Sequence, residues 1–133
     1  MELIREYKQS YLDTLTFDEL KEARYIMIDN RTGELVSQGF SYAGKVFSLS
    51  QNAQINISAL DQTRNDPTLT YPITYNTIDD LDTYSVIDAT DMHTMYLTAL
   101  ATKKGHIDGG SNLKAQVRAA IDINSINAII DNR

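Results

Sequence analysis

Apolar positions near the start of the chain recur at helical spacing: Leu3 or Ile4, Tyr7, Tyr11 and Leu15, with Glu2, Arg5, Glu6, Lys8 and Gln9 between them. That pattern predicts a short amphipathic helix over 1–15. Its stripe either packs on the rest of the chain or docks in a partner's groove. The terminal position, followed at once by a new helix start, favours docking. The new start is written in Thr16 and Glu19, a Thr-x-x-Glu capping box, with Leu15 and Leu20 placed as a hydrophobic staple. A second helix therefore begins at Phe17, buries Leu20, Ala23, Met27 and Ile28, and ends between Gly33 and Gly39.

The period then changes. Phe40 and Tyr42 alternate with polar residues, Ala43-Gly44 supplies a turn, and Val46 and Phe47 resume a strand, which predicts a small hairpin. Alanine is awkward where both central residues need positive φ, so a type I turn with Gly44 in the left-handed region is expected rather than type I′. Ser48-x-x-Gln51 reads as another capping box, opening a helix over 49–64 that buries Ala53, Ile57 and Leu60 and stops before Pro67. "YPITYNT" and "TYSVID", joined by an acidic turn, predict a second hairpin, with Pro72 at a strand beginning. Asp88 caps a long helix whose stripe is Met92, Met95, Tyr96, Ala99 and Leu100, with Asp91 favourable in its first turn. "GHIDGGSN" predicts a kink or a loop there, because Gly105, Gly109 and Gly110 each weaken a helix by about 1 kcal/mol relative to alanine. Leu113, Val117 and Ala120 resume the stripe, and after a cap at Asp122 the tail offers Ile126, Ile129 and Ile130. The expected fold is α+β, mostly helical, with one or two small antiparallel β-hairpins packed on helices. The domain reading is a docking helix over 1–15 and an α+β domain over 16–133.

Composition narrows the chemistry. At 133 residues the chain has the length of one ordinary domain, and it contains no cysteine, which removes disulfides, thiolate nucleophiles and cysteine-containing zinc patterns. A formal charge of −6 and a pI near 4.7 argue against nucleic acid and anionic lipid, since phosphate binding relies on clustered Lys and Arg. Charges interrupt the first apolar residues and no run of about 18 apolar residues occurs. The chain is expected to be soluble, with no membrane partner, and to begin at its own start.

Candidate chemistry is sparse. His93 and His106 have Asp91 and Asp108 two positions away, a spacing that does not face on a helix, and neither histidine has an identifiable orienting partner. Asp79, Asp80 and Asp82 lack the glycine and glutamate of the twelve-residue calcium loop and read as a solvated acidic turn. The glycines near Gly105 match neither a P-loop nor GxGxxG, and no GxSxG elbow is present. No catalytic residue, cofactor or metal is therefore expected, and no enzyme. Among the eight tyrosines, Tyr7 and Tyr11 are the pair expected to serve as interface anchors.

"GFSYAGKVFSLSQNAQINISAL", "YPITYNT", "DATDMHTMYLTALATKKGHIDGG" and "NLKAQVRAAIDINSINAII" together resemble a domain of unknown function from tailed-bacteriophage structural proteins, commonly those associated with tail fibres. "TFDELKEARYIMIDNR" resembles the helix that often precedes it, so the likeness covers about 16–130. The resemblance implies a non-enzymatic virion or virion-assembly protein, made in the bacterial host cytoplasm, whose partners are other tail, baseplate or fibre proteins. Relatives often carry the domain within a longer fibre polypeptide. Here only the segment over 1–15 is left over, which points to a small adaptor with Leu3, Ile4, Tyr7, Tyr11 and Leu15 as its docking face. A tail-fibre assembly chaperone absent from the mature particle is the alternative. Fibres are usually trimeric, so a homo-oligomer, and a trimer in particular, is expected, although no heptad run enforces one.

Overall fold

In the computed structural model, which describes residues 7–133, the chain is α+β. The elements are α1 (Gln9–Leu12), α2 (Phe17–Ser37), β1 (Phe40–Tyr42), β2 (Lys45–Phe47), α3 (Gln51–Gln62), β3 (Ile73–Asn76), β4 (Thr83–Val86), α4 (Ala89–Ala119) and α5 (Ile123–Asn127). Two compact units are present. One comprises the residues up to Glu34 together with His106–Arg133, the other Leu35–Gly105.

The second unit is built on its two hairpins. In the first, Phe40 opposes Phe47 and Tyr42 opposes Lys45; in the second, Ile73 opposes Val86 and Tyr75 opposes Tyr84. Strand alternation puts each of these pairs on one face, and those faces meet Ile57 of α3 and Met92, Met95 and Ala99 of α4 in a single core. Phe47 is fully buried, with Phe40 and Tyr75 ring centroids each 5.6 Å away. The route into β1 depends on Gly39, whose φ is +79° and whose added Cβ would stand 2.1 Å from the Phe47 carbonyl oxygen. No other residue fits there. Ile78 N–H donates to Val46 O at 2.9 Å, and Lys45 Nζ donates to Thr83 O at 2.7 Å, so backbone and side chain both tie one hairpin to the other.

The first unit packs Leu12 of α1, Leu20 and Ala23 of α2 and Ile126 of α5 around one centre, with Tyr7, Leu15, Phe17, Met27 and Ala120 against it. The capping box at its entry forms in both directions: Thr16 N–H donates to Glu19 Oε1 at 3.0 Å and Glu19 N–H to Thr16 Oγ1 at 3.3 Å. Leu15 and Leu20 sit in the same cluster, as a staple requires. Lys21 Nζ lies 4.6 Å from the Phe17 ring centre and donates to Arg118 O, while Lys114 pairs with Asp29 at 2.9 Å.

Several expectations need correction. Among the described residues the first helix is a single turn, Gln9–Leu12, and its buried residue is Leu12, which lies off the expected stripe; Leu3 and Ile4 lie outside the described residues. The cap of α3 is Ser50, whose hydroxyl accepts from Ala53 N–H at 3.2 Å. Ser48 instead accepts from Ser50 N–H at 3.0 Å, a local turn that competes with capping and carries Leu49 into the core before the helix begins. Ala43 has φ +51° and Gly44 +76°, the mark of a type I′ turn rather than type I. A two-residue loop between twisted strands demands that geometry, and the pairing of Tyr42 with Lys45 leaves only those two residues for it. No loop interrupts the helix at Gly105–Gly110; α4 is one element from Ala89 to Ala119. A glycine costs about 1 kcal/mol, and burial of Met92, Met95 and Ala99 before the glycines and Val117 after them offsets it. Leu100 and Ile130 are exposed. Leu100 lies one position past Ala99, about 100° around the helix from the buried stripe, and Ile130 lies beyond the end of α5.

The Ala43 geometry yields a direct test. Ala43→Gly removes the Cβ from a left-handed residue and should raise stability by about 0.5–1 kcal/mol, after the greater freedom of glycine in the unfolded chain is counted. Urea unfolding of the two chains would measure it, and an unchanged or lower midpoint would contradict the turn.

Candidate functional site

The face expected to dock partners is divided in its use. Leu15 and Tyr7 are partly buried against Leu12, Leu20 and Ile126, so they serve the first unit's own core. Tyr11 remains 49% exposed, with its ring centroid 5.2 Å from that of Tyr7. Of the three expected anchors within the described residues, Tyr11 is thus the one presented outward, with Tyr7 beside it.

His93 has an orienting partner after all, and it is Asp61 rather than Asp91. The carboxylate of Asp61, in the last turn of α3, stands 2.8 Å from His93 Nδ1 near the start of α4. Asp61 is buried, and Arg64 reaches the same carboxylate oxygen at 3.3 Å while donating to the Asp61 carbonyl at 2.8 Å. Tyr71 closes the chain of contacts by donating its hydroxyl to Arg64 O at 2.8 Å. A carboxylate beside a guanidinium acts as an acceptor, which assigns the hydrogen to Nδ1. Tyr96 stacks on the ring at 6.4 Å. The cluster fastens the end of α3 to the start of α4. Thirty-two residues separate the partners, and no local spacing rule reports such a pair.

Asp91 does more than favour the helix dipole. Asp88 caps α4 by accepting from Asp91 N–H at 2.8 Å, and the Asp91 carboxylate reaches back to Ile87 N–H at 3.0 Å. Tyr42 donates to its Oδ1 at 2.6 Å and Tyr84 to its Oδ2 at 2.7 Å. One carboxylate therefore joins β1, β4 and the start of α4. Burial alone would raise the Asp91 pKa, but the bonds from Tyr42, Tyr84 and Ile87 N–H outweigh it and hold the carboxyl below its ordinary value. The phenols move the other way: burial and then the Asp91 bond push Tyr42 up, and the Asp91 bond and then burial push Tyr84 up.

The acidic turn is occupied by its own neighbours. Asp79 accepts from Leu81 N–H at 3.0 Å and from the Thr77 hydroxyl at 2.7 Å, and Asp82 pairs with Lys45 at 2.8 Å. Among the described residues no group of three or more His, Cys, Asp or Glu is placed to hold a metal. His106 contributes its carbonyl to Arg133 at 3.0 Å. Comparison with protein families, with curated proteins and with solved structures returned no match.

Two outcomes follow from the Asp91 node. Asp91→Ala strands two partly buried phenols and a backbone N–H and should cost about 2–3 kcal/mol of unfolding free energy at neutral pH. Because the Asp91 pKa is depressed in the folded state, its contribution is present above the unfolded carboxyl value near 4 and is lost as pH falls through the folded value. Stability should therefore decline on acidification, and less steeply in Asp91→Asn, as read from urea titrations at a series of pH values. Equal slopes would remove Asp91 from the acid response.

Proposed function

We propose that the chain is a non-enzymatic structural component of a tailed-phage virion, an adaptor or attachment subunit of the tail, baseplate or tail fibre. The observation that carries this reading is the ordered resemblance described above. Its segments fall on both hairpins, α3, α4 and α5, and they include residues that the backbone specifically requires, such as Gly39, Gly44 and Asp88. The non-enzymatic part is supported by the fate of the candidate chemistry: Asp91, Asp61 with His93, and Asp79 each make intramolecular ties between or within elements. Among the described residues no helix is long and apolar enough to cross a membrane, and the acidic charge disfavours nucleic acid.

In this reading Tyr11 is the exposed aromatic anchor of the docking face, with Leu3 and Ile4 preceding it in the chain, and the partner is another tail, baseplate or fibre protein. The particle would hold the chain as a homo-oligomer, trimeric if it follows fibre symmetry. Protein composition of purified virions is the direct test. Stoichiometric copies support a resident subunit; presence in infected cells but absence from particles would replace it with the assembly-chaperone reading. Tyr11→Ala should leave the unfolding midpoint nearly unchanged, within about 0.5 kcal/mol, while lowering incorporation into particles. Leu12→Ala should instead cost about 2–4 kcal/mol, because Leu12 is core.

A further inference from the structure

Four of the chain's six glycines are explained by their surroundings, and two are not. Gly39 and Gly44 have φ of +79° and +76°, where any side chain is strained. An added Cβ would stand 3.1 Å from Arg133 Cδ at Gly109, and 2.6 Å from Thr32 Oγ1 and 3.1 Å from Arg133 Nη1 at Gly110. Arg133 has its own reasons to be there, donating to Thr32 Oγ1 at 2.7 Å, to His106 O at 3.0 Å and to Ile28 O at 3.1 Å. Gly33 and Gly105 serve neither purpose. They lie inside α2 and α4, both are exposed, and among the described residues nothing stands within 4 Å of a Cβ built on either. Alanine would fit at each and would favour the helix.

The two unexplained glycines share a location. The chain passes between its compact units twice, between Glu34 and Leu35 within α2 and between Gly105 and His106 within α4. Gly33 adjoins the last residue before the first crossing, and Gly105 is itself the last residue before the second. The apolar clusters respect the same division. Leu12, Leu20, Ala23 and Ile126 centre one unit, Phe47, Met92, Met95 and Ala99 the other, and the residues of each cluster belong to one unit. A bend at both crossings therefore leaves both clusters intact. An exposed glycine is where a helix yields most easily, because its φ and ψ are least restricted and water can reach the hydrogen-bonded ladder.

We propose that Gly33 and Gly105 form a paired hinge, at which α2 and α4 bend so that the two units move as separate bodies. The pairing is essential to the argument. Two helical connections join the units, and a weak point in one alone would leave the other helix to hold the angle. The inference rests on the glycines and the two cores and does not depend on the virion reading.

The absence of cysteine allows spin-label pairs to be placed on the full chain without background. Ile26→Cys in α2 with Ile55→Cys in α3 spans the crossings, whereas Ile55→Cys with Leu97→Cys in α4 lies within the second unit; all three positions are exposed. Pulsed electron paramagnetic resonance should give a broader distance distribution for the spanning pair than for the internal pair. Gly33→Ala combined with Gly105→Ala should narrow the spanning distribution to the width of the internal one, and leave the internal one unchanged. If the double replacement does not fold, either single replacement takes its place and should narrow the spanning distribution. A spanning distribution already as narrow as the internal one overturns the proposal, whichever variant folds. So does a broad one that the alanines leave unchanged, which would put the motion elsewhere, and so does equal narrowing of both pairs, which would mark a general stiffening.

Discussion

The packing of Phe47 is the constraint on which the second unit rests. Its ring is surrounded by Phe40 from the same hairpin and by Tyr75 and Tyr84 from the other, with Tyr84 at 6.2 Å. Two-stranded hairpins are marginal by themselves in water, and here each covers the apolar face of the other and both are covered by α3 and α4 through Ile57, Met92 and Met95. The same residue acts through its backbone, since its carbonyl passes so near Gly39 that no side chain is tolerated at that position. A ring contact and a main-chain contact at one residue therefore both constrain the entry to the first hairpin.

Much of this was legible from local pattern. The hairpins, the Thr16–Glu19 box, the Asp88 and Asp122 caps and the stripe Met92, Met95, Ala99 all follow from period and capping chemistry within a few residues of each other. What escaped was non-local. Asp61 and His93 meet across 32 positions, Tyr42 and Asp91 across 49, and Arg133 and Ile28 across 105. Glycine in "GHIDGG" is a poor helix former by propensity; at Gly109 the Arg133 side chain, and at Gly110 Thr32 with Arg133, take the space a Cβ would need, whereas nothing lies within 4 Å of a Cβ at Gly105. The Ser48 and Ser50 exchange shows a subtler limit: both serines can cap, and the burial of Leu49 decides between them.

In the second unit the carboxylates of Asp91 and Asp61 are each engaged by several neighbouring groups, and this bears on what they can do. A hydrolytic or transfer site needs groups held near reactants yet left available to them. Here Asp91 accepts from two phenols and a backbone N–H, and Asp61 is shared by His93 and Arg64. Such ties specify element placement, while Tyr11, Leu81 and Ile121 are among the large hydrophobic side chains left exposed.

The pair of phenols on one carboxylate has an optical consequence. The chain contains eight tyrosines and no tryptophan, so its ultraviolet emission comes from phenol rings alone. A phenol that donates to a carboxylate yields its proton readily in the excited state and emits weakly, and Tyr42 and Tyr84 both donate to Asp91. On that principle these two rings should emit weakly while they donate to Asp91 and more strongly once those bonds are broken on unfolding, which makes tyrosine emission a label-free gauge of that junction.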